Sequence, residues 1–238
     1  MESLSNYLIK NTPPSMYYMP NFISHSEEES ILQKIPAQRW ISLSNRRLQA
    51  IPTQLTAKNI LLASKLPAWL EKPIIERLNR LKVFEGAPHG INHCLVNEYL
   101  PGQGIMPHED GDAYYPIVAT VSLGGTIVLD VTTKNAGTDN EPASRQDEAM
   151  SWRVIQEPRS LLITTGSAYV DTLHGIAERD VDRDLTTSSV ANWDLLAKPE
   201  LFEEDGGQNR RTPRISLTLR DVNKVSSAGN RVFGRPKP

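Results

Sequence analysis

The 238-residue chain holds a single cysteine, Cys94, and only four phenylalanines and four tryptophans. A lone cysteine excludes an intrachain disulfide framework and fits a reducing compartment. No apolar run approaches the roughly 18 residues of a spanning helix, and the first residues lack the apolar stretch of a signal peptide. Cytoplasm, nucleus or both are the expected compartments, with no membrane partner. Charge of one sign is also missing: 26 Lys and Arg against 28 Asp and Glu leave a formal net charge of −2. A protein that grips nucleic acid through its overall charge is basic, so any such contact must come from a local patch. Proline, by contrast, is plentiful at 17 residues, which predicts many turns and short elements in place of a helical bundle.

The chain length and ordinary apolar content predict one domain, placed over residues 1–225, with a helical region to about 90 and a β core from about 91. Met16 to Ile23 is the first element. Ser24 with Glu27 reads as a capping box, opening a helix to about Lys34 that buries Ile31, Leu32 and Ile35. Trp40 to Gln49 reads as extended or hairpin-like. A second helix is expected over Ala68 to Leu81, interrupted by Pro73, with Leu70, Ile74, Leu78 and Leu81 as its apolar stripe. Strands are expected at His93–Leu100, Ile117–Val131, Ser160–Thr165 and Arg214–Val222. Short strands without intervening helices make the fold class mainly β with flanking helices (α+β), a sandwich or jelly roll. Two polar stretches, 134–151 and 177–213, read as loose insertions on its rim, and 226–238 as a flexible tail.

Chemistry-bearing residues fall into two groups. His108 and Asp110 lie two positions apart, so on a strand both face the same way, and His174 follows sixty-four residues beyond Asp110. Two imidazoles and one carboxylate are the ligand set of non-haem Fe(II) oxygenases, which leave positions open for oxygen. Asp112 shares the alternation and competes as the carboxylate, whereas Glu109 points the other way. The second group is the run Arg214-Ile215-Ser216-Leu217-Thr218-Leu219-Arg220, which places Arg214, Ser216, Thr218 and Arg220 on one strand face. That face has two arginines and no acid, which suits an anion clamp better than a surface. Leu95, Asn97 and Tyr99 similarly share one side of their strand. An amide, a phenol and two guanidinium groups beside a metal fit a chelating dicarboxylate.

The order Asn97-Glu98-Tyr99, His108-Glu109-Asp110, His174 and Arg214 through Arg220 resembles the AlkB-like iron and 2-oxoglutarate dioxygenases. Within that family, Val96 to Asp112 looks most like the sixth homologue of eukaryotes. The resemblance is dense over Tyr17–Asn21, His93–Leu129 and Glu157–Val222 and fades elsewhere. It implies a double-stranded β-helix with Fe(II) held by the catalytic residues His108, Asp110 and His174, and 2-oxoglutarate and O2 as cosubstrates. Arg214 would take the distal carboxylate, with Arg220, Asn97, Tyr99 and Ser216 completing the pocket; relatives often have Asn at the Ser216 position.

The implied reaction is oxidative N-demethylation of alkylated nucleic acid, single-stranded or damaged DNA or RNA. Oxidation of a protein side chain, or nucleic-acid binding without catalysis, stand as alternatives. The family's lid would be Ser42 to Gln54, where Arg46 and Arg47 would meet phosphate or simply form a solvated basic hairpin. Ala50-Ile51-Pro52 stands where the family carries glycines. Tyr114 and Tyr115 would stack a substrate group or cap the core. Lys224, Arg231, Arg235 and Lys237 give the chain a basic end.

Overall fold

The computed structural model describes residues 4–10, 12–134 and 150–226. The expectations for the first polar stretch and for the tail, including Arg231, Arg235 and Lys237, lie almost wholly outside the described residues.

Eleven strands build the two large sheets. In chain order they are β1 (Met16–Met19), β2 (Ile41–Leu43), β3 (Arg46–Ile51), β4 (His93–Tyr99), β5 (Ile105–His108), β6 (Ile117–Gly124), β7 (Ile127–Thr133), β8 (Ser151–Gln156), β9 (Leu161–Thr165), β10 (Thr172–Ile176) and β11 (Arg214–Arg220). One sheet has the order β1-β9-β6-β11-β4-β3-β2, the other β5-β10-β7-β8. Every pairing within them is antiparallel. This is the expected jelly roll. The hairpin expected at Trp40–Gln49 is β2 and β3, and the stretch expected as Ile117–Val131 is two strands joined by a turn at Gly124 and Gly125.

Apart from its exposed edge strand β2, the seven-stranded sheet is covered on both faces. Cys94, Val96, Ala119, Val121, Leu217 and Leu219 pack outward against Ile31, Leu70, Ile74 and Leu78. Ile31 comes from the helix His25–Lys34, whose capping box is present: Ser24 Oγ accepts from Glu27 N at 3.3 Å, and Glu27 Oε2 accepts from Ser24 N at 2.8 Å. Ile31 and Ile35 are buried as expected, but Leu32 is 36% exposed, since it falls off the stripe that meets the sheet. Residues 68–80 are helical apart from Lys72, just before Pro73. Leu70, Ile74 and Leu78 are fully buried there.

The other face of the same sheet meets the four-stranded sheet. Met16, Tyr18, Tyr99, Leu162, Leu129, Val131, Val154 and Ile176 form the core between them. The polar row of β11 points into this interior: Arg214, Ser216, Thr218 and Arg220 are each less than 9% exposed.

Residues 177–213 correct the expectation of a loose rim loop. Leu185, Val190, Trp193, Leu196 and Phe202 are buried in the same apolar cluster as Val128, Val154 and Ile155. Asp182 and Arg211, both buried, pair through Nη2–Oδ1 at 2.6 Å and Nε–Oδ2 at 3.0 Å. Asn192 binds the free edge of β8 as a strand would, donating to Ile155 O at 2.8 Å and accepting from Ile155 N at 2.9 Å. The buried Glu157 accepts from Ala197 N, Lys198 N and Tyr18 Oη. The segment is thus polar in sequence yet anchored by five buried apolar side chains and one buried ion pair, with most of its other charges exposed.

Candidate metal centre and its cavity

Strand pairing brings the two imidazoles together. β5 and β10 run antiparallel with His108 opposite His174, and the ring centroids are 4.4 Å apart. The residue after His174 must be small: a Cβ on Gly175 would lie 2.9 Å from Pro107 N and 3.1 Å from Ile105 O. Glycine therefore permits the close approach of backbones that seats the histidines side by side. β5 ends at His108, so Asp110 stands just past the strand and reaches the same point from the loop. One ligand atom from each of His108, Asp110 and His174 lies within 4.8 Å of the others.

The donor set suits a divalent ion. His108 Nδ1 lies 2.9 Å from Met106 O. A carbonyl only accepts, so Nδ1 carries the proton and Nε2 keeps its lone pair. Burial pushes the His174 pKa down to about 4, against the pull of Asp110, so its ring is neutral at pH 7. Burial alone would raise the pKa of Asp110, but Arg220, then His174, outweigh it and hold the carboxyl below its usual range. Asp110 Oδ2 is buried and has no hydrogen-bond partner, a cost that a bound cation would remove. Of the rival acids, Asp112 is exposed and outside the cluster, and Glu109 pairs with Lys134 at the rim.

The three residues open on a cavity of about 270 Å³ between the sheets. Asn97, Tyr99, Arg214, Ser216 and Arg220 all line it, so the sequence reading of that pocket coincides with one interior space. Arg214 is 2% exposed and donates from Nη2 to Ser122 Oγ and Gln156 Oε1, both at 2.9 Å. Its Nε has no partner, and the Tyr99 ring lies 5.9 Å from its guanidinium carbon. Burial lowers its pKa to about 10, which leaves it charged at pH 7. Arg220 differs: its Nη2 hydrogen-bonds Asp110 Oδ1, and its guanidinium sits 4.8 Å over the Tyr114 ring. Arg220 Nε and Nη1 are buried without partners.

The substrate candidates divide. Arg46 lines the cavity and donates from Nε to Asn97 Oδ1 at 3.4 Å. Arg47 does not line it. Strand alternation turns it to the opposite face, where it pairs with Glu98 and lies 4.6 Å over the Trp40 ring. Of the two arginines read together as phosphate contacts or a solvated basic hairpin, only Arg46 faces the cavity. Tyr114 lines the cavity, whereas Tyr115 turns towards the loop at Gly86 and is outside the lining. Ser122, Gln156 and Tyr169 were not singled out from sequence. Tyr169 Oη is buried, unpartnered and on the cavity wall. Gln156 ends β8, a strand not expected from the sequence, in which Val154-Ile155 is the available strand signal.

Comparison with known proteins agrees with this geometry. Residues 53–220 match the 2OG-Fe(II) oxygenase superfamily. Over 228 residues the chain is 37% identical to "Probable RNA/DNA demethylase ALKBH6" of Danio rerio, covering 94% of this chain and 93% of that protein. It is 27% identical to "Alkylated DNA repair protein ALKBH8 homolog" of Arabidopsis thaliana, covering 88% of this chain and 58% of that longer protein. The solved structure of OsALKBH1 shares the fold, with a TM-score of 0.54 at 17% identity, covering 89% of this chain and 100% of that one. The chain belongs to the 2OG-Fe(II) oxygenase superfamily, in its AlkB-like branch.

Proposed function

We propose that this chain is an Fe(II)- and 2-oxoglutarate-dependent dioxygenase that removes N-methyl groups from nucleic acid. The observation that carries it is the adjacency of His108, Asp110 and His174 to the buried, incompletely partnered Arg214 within one cavity. The two imidazoles and the carboxylate would hold the ion and leave coordination positions free. When bound, Fe(II) with 2-oxoglutarate and O2 supplies oxidation of a C–H bond to C–OH, the cosubstrate leaving as succinate and CO2. An N-hydroxymethyl product then breaks down to formaldehyde and the free amine.

The chain's residues do the rest. Arg214, fixed by Ser122 and Gln156, presents Nε and its other amino group to a carboxylate, with Asn97, Tyr99 and Ser216 on the surrounding walls. Arg220 keeps Asp110 ionised and aimed. Leu95, Leu129, Val131 and Ile176 exclude water around these charges, which strengthens each interaction. The hairpin β2–β3 overhangs this space: Arg46 and Leu48 line it, and at its tip Asn45 Nδ2 hydrogen-bonds Glu178 Oε1, just beyond β10 on the other sheet. The demethylase name of the Danio rerio relative supports nucleic acid as the substrate class.

The test is mass spectrometry of methylated RNA, DNA and peptide pools incubated with the protein, Fe(II) and 2-oxoglutarate. Demethylation in a nucleic-acid pool, absent with His108→Ala, is expected. An unchanged nucleic-acid pool beside oxidised peptides would overturn the substrate class and leave the oxygenase chemistry standing.

A further inference from the structure

The cavity wall holds more positive charge than the proposed chemistry employs. Arg46, Arg214 and Arg220 line it, against the acids Asp110 and Glu109. Glu109 is matched by Lys134 at the rim, and Arg220 by Asp110. Arg214 is held by the neutral side chains of Ser122 and Gln156, and Arg46 donates to the neutral Asn97. Arg46 has no acidic partner among the described residues. Two guanidinium groups, Arg46 and Arg214, are therefore uncompensated. A divalent ion and a doubly ionised dicarboxylate bring equal and opposite charge, so loading the site leaves that excess in place.

The two arginines stand at different depths. Arg214 is 2% exposed at the buried end, whereas Arg46 is half-buried on the hairpin whose tip spans the two sheets through Asn45 and Glu178. A group entering from solvent thus meets Arg46. The nearby Asp112 is solvent-exposed and outside the lining, so water screens it, while a like charge inside a partly enclosed cavity is poorly screened. Arg46 also presents only donors, which need acceptor lone pairs opposite them.

We infer that the reacting group of the substrate is uncharged, an N-methylated base in its neutral form, and that Arg46 is the residue that selects against cationic bases. This rests on the demethylase reading and narrows it. Methylation on an exocyclic amine leaves the ring nitrogens of adenine free as acceptors for a guanidinium. Methylation on the ring nitrogen removes one acceptor and makes the base a cation at neutral pH. The same charge balance disfavours methylated ammonium side chains.

The experiment uses isomers. Single-stranded oligonucleotides carrying one N6-methyladenine or one 1-methyladenine are isomers that differ in the charge of one base at neutral pH; 3-methyluracil against 3-methylcytosine, which are not isomers, gives a second contrast in charge. Equilibrium binding to the metal-free full chain and turnover with Fe(II) and 2-oxoglutarate are both measured. The neutral member of each pair is expected to bind about tenfold tighter, a difference that shrinks in Arg46→Gln and vanishes or reverses in Arg46→Glu. Unchanged thermal melting of both variants shows that the hairpin still folds. Equal binding, a preference for the cationic base, or a preference that survives Arg46→Glu overturns the inference alone. Failure to bind or turn over any of the strands overturns the nucleic-acid reading together with it.

Discussion

Arg214 and Arg220 share one strand face yet face different work. Arg220 gives its charge to Asp110, while Arg214 is held only by neutral oxygens and keeps its charge for an incoming anion. Gln156→Leu removes one of those oxygens and leaves a buried N–H unsatisfied, at a cost of about 1–3 kcal/mol. Its dissociation constant for 2-oxoglutarate, followed by calorimetry, is expected to rise about tenfold while metal affinity stays constant; unchanged 2-oxoglutarate binding would remove Gln156 from that role. His93 offers a pH test away from the metal. Burial lowers its pKa from 6.5 to about 4, against a hydrogen bond to the Thr53 carbonyl and with help from Arg220. The unfolded chain therefore takes up a proton at higher pH than the folded one. Stability from the neutral ring is complete above pH 6.5 and drains away as pH falls towards 4, by ~3 kcal/mol. Urea titrations across that range should show a shallower pH slope for His93→Gln than for the parent chain. Residues at this scale were readable where alternation fixed the face: Asn97, Tyr99 and the polar row of β11 all point inward as their spacing required. Arg46 and Arg47 obey the same alternation, but their face was only assignable once Leu48 was seen opposite Asn97.

Among elements, the pairing of β5 with β10 decides the metal site. The sequence spacing of His108 and Asp110 suggested a shared strand face, yet the strand stops at His108, and a loop carries Asp110 back to the same point. Gly175 sets how closely the strands approach. Gly175→Ala should push them apart, at about 1–3 kcal/mol of stability, and weaken Mn(II) binding several-fold; a variant that binds Mn(II) as the parent does would show that the contact is slack. The helix His25–Lys34 was readable down to its cap, because a capping box is local in sequence. Leu32 was not, because helical periodicity alone does not say which edge of an apolar stripe meets the sheet.

For the whole molecule, the segment 177–213 changes the picture of a core with loose insertions. Its Asp182–Arg211 pair, both members buried, and the backbone bonds to Glu157 tie it across the four-stranded sheet. Such a segment reads as loop from composition, since the partners of its charges lie far away in sequence. Arg211→Ala leaves Asp182 buried and unpaired and should cost about 3–5 kcal/mol in urea unfolding; a loss under about 1 kcal/mol would mean that the segment detaches without consequence. Strand spacing narrowed the fold to a sandwich or jelly roll and the family resemblance implied the jelly roll, while two alternating runs carried its interior chemistry.

The central claim is that a metal held by two histidines and an aspartate shares its cavity with an arginine reserved for a dicarboxylate. It is tested most directly by calorimetric titration of 2-oxoglutarate into the Mn(II)-loaded protein. One metal-dependent site is predicted, weakened about a hundredfold in Arg214→Gln and lost in His174→Ala. Binding that persists without metal, or that is unaltered in either variant, would contradict it.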